Sequence, residues 1–218
     1  MNIDVIIAVV NKALAYQLLK SVEVNTLLPR RLIIVDNSSG EPFGFKTDKF
    51  DVSLYKSKSG RLNESWEIAR SVLTKDSDYV SFLNDDIIIG DWFFQRVYET
   101  FQSYSSCGVA CPRTCQFIHE VRKGKVNYHQ MKRRDACAFT IRKGLLDKIP
   151  PVPYKHLTTF HGDDWFWFHT RKLGYSWMLD LGNPIYHFVG VSILKLGLRR
   201  LKAKERNAWL GIFKEEFG

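Results

Sequence analysis

The chain has little of what marks several common protein classes. It carries four cysteines, Cys107, Cys111, Cys115 and Cys137, and no two of them stand in a CxxC spacing. Structural zinc is therefore not expected, and buried reduced thiols are expected in place of disulfides. The apolar run at residues 5–10 is too short for a secretion-signal core or a membrane span and has no basic flank. The expectation is an intracellular, cytoplasmic protein. No internal repeat and no low-complexity linker occurs, which argues against solenoids and extended disorder. Acids are in deficit: 23 Asp and Glu stand against 32 Lys and Arg, a formal net charge of +9. That balance favours phosphate-bearing partners, whether nucleotides, nucleic acid or an anionic membrane surface.

What is present reads as one compact α/β domain with a less regular second half. The 218 residues are 45% hydrophobic, enough for a substantial core. Residues 3–10 and 32–35 are continuous apolar, β-branched runs, as in strands buried on both faces of a parallel sheet. Between them Asn11 can cap a helix carrying Leu14, Leu18, Leu19 and Val22, closed by Pro29. A short strand at 52–55 precedes a helix with Leu62, Trp66, Ala69 and Leu73 on one face. Residues 79–83 form another strand. Asp91 is expected to cap the helix holding Trp92, Val97 and Phe101. The pattern turns irregular after Cys111, and a basic segment runs over 122–134. Strands are expected at 136–141 and 185–188, a helix opens at Gly162, and the tail from Ser192 is helical by spacing.

The most informative stretch is Asn84-Asp85-Asp86, two adjacent carboxylates where an apolar strand stops. Paired anions at a strand end repel and lose solvation, a cost that a hard divalent cation offsets. Ligands of open α/β sheets collect at the carboxyl ends of strands, and Asp36, Asn84, Asp85, Asp86 and His187 all fall there. Asp163 and Asp164 open a helix that can point the same way. Asp36 can meet a nucleobase, Asp86 can ligate a metal on a diphosphate, and His187 can complete it, a donor set that suits manganese as well as magnesium. Each has a plainer alternative: Asp36 as a turn cap, Asp163 and Asp164 as helix caps, His187 as a core histidine. Two other functions compete. A nucleotidyltransferase would show a glycine-rich basic loop where Val9-Val10-Asn11-Lys12-Ala13 stands. A nucleic-acid-binding module would not place paired acids in its cleft.

These motifs, in their order, resemble the GT-A fold glycosyltransferases, most closely the inverting family 2 group, over most of residues 3–188. The run to Val9 and Asn11 is similar to the first strand and nucleotide-binding turn, with Ala8 and Val10 departing from the common proline and tyrosine. Asp36-Asn37-Ser38 is similar to the nucleobase turn, and Arg61 with Asn63 to the loop facing nucleotide and sugar. Asn84-Asp85-Asp86 resembles the DxD motif, its first aspartate replaced by asparagine. Gly162-Asp163-Asp164-Trp165, followed by Arg171-Lys172-Leu173-Gly174-Tyr175, is similar to the "ED" helix, with aspartate for the usual glutamate.

The resemblance implies a single Rossmann-like GT-A domain over 1–190, with a mostly parallel central sheet flanked by helices. Its nucleotide-sugar half covers about 1–110 and its acceptor half about 111–190; a basic amphipathic C-terminal helix follows at 191–218. It implies transfer of a sugar from a nucleotide-diphosphate sugar to a hydroxyl of a glycan or of a modified nucleic-acid base, with Mn2+ or Mg2+ held by Asp86 and His187. Asp164 would be the base, with Asp163 orienting a substrate. Lys132, Arg133, Arg134 and Trp165 would face acceptor or phosphate. The chain resembles compact stand-alone members, including those of large viruses and bacteriophages; a viral origin would place it in host cytoplasm. The basic tail suggests peripheral contact with an anionic membrane or polymer.

Overall fold

A computed structural model describes residues 1–57, 60–131, 137–188 and 199–217. β1 (Ile3–Val9) is buried at all seven positions, and β2 (Arg31–Asp36) and β4 (Tyr79–Asn84) lie parallel to it on either side. Burial on both faces accounts for runs that do not alternate. β3 (Asp51–Lys56) joins the outer side of β2, also parallel, and is half-exposed as an edge strand. Strand order therefore reverses about β1, which opens a crevice at the carboxyl ends, where Val9, Asp36, Lys56 and Asn84 stand in neighbouring register.

The other half of the sheet is mixed. β8 (Ala138–Arg142) runs antiparallel to β4, and β6 (Cys107–Cys115) antiparallel to β8. β9 (Ser176–His187) lies parallel to β6, and β5 (Ile87–Ile88) and β7 (Tyr128–Gln130) pair antiparallel to β9. The order is β3-β2-β1-β4-β8-β6-β9-β5, with β7 also on β9.

Two apolar layers cover the faces. Ile3, Val5, Ile7 and Val9 of β1 meet α1 (Lys12–Glu23) and α3 (Phe93–Ser103) on one side. Ile6, Val80, Phe82 and Phe139 meet α2 (Leu62–Ser71) and α5 (Gly162–Lys172) on the other, through Trp66, Phe166 and Trp167. The short α4 (Lys143–Leu146) also packs there. α6 (Arg199–Phe217) lies over α5: Phe168 packs on Trp209, Phe213 and Phe217 at centroid distances of 4.7–5.8 Å.

Several expectations need correction. Asp91 caps nothing with its side chain; Trp92 is the N-cap of α3. The stretch read as irregular after Cys111 continues β6 through Pro112 to Cys115. The late strand starts at Ser176, nine residues before the expected 185. Prolines hid both, because a proline within a run normally demotes a strand. Here Pro112 and Pro184 flank a bulge: Pro112 pairs with Asp180 and Arg113 with Pro184, so residues 181–183 stand out of register. The bulge is anchored by Asp180, which takes two hydrogen bonds from the buried Arg96 guanidinium, at 2.8 and 2.6 Å, and one from the Gly182 N–H.

The tail is helical from Arg199, and the buried side of α6 is set by Leu201, Glu205, Ala208, Trp209, Ile212 and Phe213. Its apolar stripe thus packs on its own domain, while Arg200, Lys202, Lys204 and Arg206 remain exposed. Leu194 and Leu198, also expected in that stripe, lie outside the described residues.

Candidate active site

β4 ends at Asn84, and the chain turns through Asp85 and Asp86 into β5. Asn84 donates its backbone N–H to the Cys137 carbonyl at 3.0 Å, which ties the turn to the start of β8. The two carboxylates then diverge. Asp85 accepts the backbone N–H groups of Val10 and Asn11, both at 2.6 Å, and so shapes the turn after β1. Burial raises its pKa to about 6 against the lowering effect of those two bonds. Asp86 turns to β9, where its Oδ1 lies 3.2 Å from His187 Nε2. The register Ile87↔His187 and the bond from Phe188 N–H to the Asp86 carbonyl, at 2.9 Å, hold that pairing. Burial opposes charge on His187, but hydrogen bonds to Asp86 and Cys137 outweigh it and push the imidazole up to about 10.

Asp36, at the end of β2, has its acceptor directions filled. Oδ1 takes the Ser38 N–H at 2.8 Å and the Ser38 hydroxyl; Oδ2 takes the Phe43 N–H at 3.0 Å and Lys56 Nζ at 2.8 Å. It organises the turn rather than offering a free edge to a base. Burial alone would raise this carboxyl, yet the bonds from Lys56, Ser38 and Phe43 lower it to about 2. Next to it, Asn37 Oδ1 accepts from the Ser65 hydroxyl at 2.8 Å, while its buried Nδ2 has no partner among the described residues. Val9 takes part through its carbonyl, which accepts the Asn37 N–H at 2.7 Å.

α5 presents the second pair of acids at its first turn. Asp164 is 2% exposed, and its Oδ2 lies 2.5 Å from His161 Nδ1. His161 is the N-cap and, among the described residues, the one non-glycine with positive φ, at 64°, a conformation that costs about 1 kcal/mol or more and persists where surroundings impose it. Those surroundings come from α6. Trp209 stacks on the His161 ring at 5.7 Å and 3°. Glu205, 1% exposed, accepts the Thr158 hydroxyl and the backbone N–H groups of Thr159 and Phe160. Gly162 follows because a Cβ there would lie 2.2 Å from Asn63 Oδ1. Asp163 is close enough to add to the raised pKa of Cys111, which burial dominates and to which Cys107 and Cys137 also contribute.

Two expected site residues serve the frame instead. Asn63 is fully buried and donates Nδ2 to the Leu157 and Phe160 carbonyls at 2.6 and 3.0 Å, joining α2 to the loop before α5. Trp165 is 4% exposed, gives its Nε1–H to the Pro150 carbonyl at 2.9 Å and packs on His169 and Phe217, so the ring faces core rather than acceptor. Arg61 is the exposed N-cap of α2. Lys132, Arg133 and Arg134 lie outside the described residues. Lys56, His161 and Glu205 were not anticipated. Glu205 had a visible signal, a carboxylate within an apolar helical stripe; Lys56 had none, since only strand register brings it to Asp36.

No protein-family description and no curated protein sequence matches this chain. Solved structures do. A structure of GalNAc-T7 with UDP, GalNAc and Mn2+ superposes with a TM-score of 0.66 at 12% identity, over 85% of this chain and 43% of that one. TarS from S. aureus gives 0.64 at 15% identity, over 87% and 37%. Its 1–349 fragment gives 0.62 at 12%, over 86% and 60%. The chain thus spans about two fifths to three fifths of the proteins it matches. At these identities the likeness shows the fold, which is the GT-A glycosyltransferase fold expected from the motifs: one α/β domain, a mostly parallel central sheet, flanking helices and a C-terminal helix.

Proposed function

We propose that the protein is a metal-dependent inverting glycosyltransferase that moves a sugar from a nucleotide-diphosphate sugar to a hydroxyl acceptor. The observation that carries this reading is the meeting of Asp86 and His187 at 3.2 Å, at the carboxyl ends of the strands of a GT-A sheet. Carboxylate and imidazole together suit a divalent ion whose remaining ligands come from diphosphate oxygens and water. Bound there, Mn2+ or Mg2+ would supply Lewis-acid stabilisation of the leaving diphosphate. The GalNAc-T7 neighbour was crystallised with UDP, GalNAc and Mn2+, so UDP is the first nucleotide to test.

The chain's own residues supply the rest. Asp85 holds the turn after β1, and Asn37, bonded to Val9 and Ser65, fixes the neighbouring turn that faces the nucleoside. Asp164 takes the acceptor proton as general base, and His161 fixes the orientation of its carboxylate. Attack on the face opposite the diphosphate inverts the anomeric centre. Asp163 orients the acceptor or donor sugar.

Calorimetric titration of UDP and GDP with and without Mn2+ tests the reading. Metal-dependent binding of at least one, lost in Asp86→Ala at unchanged melting temperature, is expected. Turnover of a nucleotide sugar should release nucleoside diphosphate; pyrophosphate would instead mark a nucleotidyltransferase.

A further inference from the structure

β6 and β9 end near Asp86, and at their opposite end lies an open cavity of about 610 Å3, lined by the starts of these strands, by β7 and by the last turns of α5. Its size falls within the range of small-molecule sites. Its chemistry is mixed in a particular way. Tyr104, Tyr128, Trp167 and Tyr175 contribute rings, and Gln130 and Arg171 contribute planar polar groups.

Trp167 is 5% exposed. Its ring lines the cavity, and its indole N–H makes no hydrogen bond among the described residues. Buried indoles ordinarily find a hydrogen-bond partner. Arg171 lies over the same ring at 5.4 Å and makes no ion pair among the described residues. An apolar ligand would strand these donors. Among the described residues one guanidinium lines the cavity, where a polyphosphate would call for more cations. Flat apolar ring faces edged by free donors suit a saccharide, which has an apolar C–H face and a rim of hydroxyls.

Position adds to this. Asp164, Trp167 and Arg171 recur at i, i+3 and i+7 of α5, one stripe of one helix. Asp164 and Arg171 are separated by about 10 Å along its axis. The geometry points to a second saccharide subsite, which holds units of the acceptor chain distal to the hydroxyl that is glycosylated. This rests on the transferase reading for its purpose, and it narrows the acceptor to an oligosaccharide or polysaccharide.

The test uses maltohexaose, chitohexaose and a heparin hexasaccharide as probes in calorimetry, with an oligothymidylate as a competing polymer. At least one hexasaccharide should bind with a Kd of about 1 mM or tighter. Arg171→Ala and Tyr104→Ala, both at exposed positions, should each weaken that binding about tenfold or more, with melting temperature and UDP binding unchanged. Absence of binding by all three saccharides, equal binding by the variants, or tighter binding of oligothymidylate that is lost in the same variants would overturn the assignment. UDP titrated with Mn2+ on the same preparations separates the two readings. Saccharide binding without UDP binding sinks the transferase alone, and the reverse sinks the subsite alone.

Discussion

The carboxylate of Glu205, on the C-terminal helix, accepts the backbone N–H of Phe160 at 2.8 Å, two residues before the start of α5. The same side chain also holds Thr158 and Thr159. Glu205→Ala leaves three donors in a buried place and loosens α6. A stability loss of about 3 kcal/mol is expected, read as a lower urea midpoint at unchanged slope. Glu205→Gln keeps one acceptor oxygen and should lose less.

Arg96 and Asp180 form the other buried bracket, at 1% and 2% side-chain exposure. Asp180→Ala leaves the buried Arg96 guanidinium at the β9 bulge with the longer 3.4 Å contact to half-exposed Glu99 in place of its two short bonds. The expected cost is about 3–5 kcal/mol, and the double change Arg96→Met with Asp180→Leu should recover part of it. Equal loss in single and double variants would mean that the bulge, and not the charge, depends on the pair.

Asp36 gives the fold a pH dependence whose sign is fixed. Its pKa falls from an ordinary 3.8 to about 2 in the folded protein. Its contribution is thus complete above the unfolded value and is lost as pH falls from about 4 through 2. The size is about 2 kcal/mol. Denaturant midpoints measured across that window should fall less steeply with acidification for Asp36→Asn than for the natural chain.

Asp164→Asn should lower turnover roughly a hundredfold or more and leave donor affinity nearly intact, since a base acts on the acceptor. Donor binding and single-turnover transfer measured side by side check this. Full activity in the variant would move the role to Asp163.

Much of the first half of the chain was legible because its signals are local. β1, β2 and β4 are continuous apolar runs, and a run of that kind has one reading in a parallel sheet. The acids at their ends followed from strand position alone. The second half was less legible because its determinants are relational. Pro112 and Pro184 look like strand breakers until they are seen to share a bulge. Lys56 meets Asp36 through register, and Glu205 acts through a loop 45 residues earlier. Trp165 resembled a ligand-facing aromatic by its place beside the acids, yet its indole is bonded to Pro150 and covered by Phe217.

β9 has one more consequence, for the order in which the molecule assembles. Ile87 pairs with His187, and Cys107 with Ser176. The strands β1 to β4 can associate while the chain is half made, since each partner lies within about eighty positions. The Asp86–His187 pair must wait for β9 to zip along β6 and close a loop of 101 positions (187 − 86). Such distant parallel pairing is slow and repays its entropy late. A ribosome-bound chain that has emerged only through β8 carries both aspartates of the β4 turn and no imidazole beside them. Under the proposed function, affinity for a divalent ion would be acquired at the end of folding, and metal-dependent nucleotide binding would report the completed sheet.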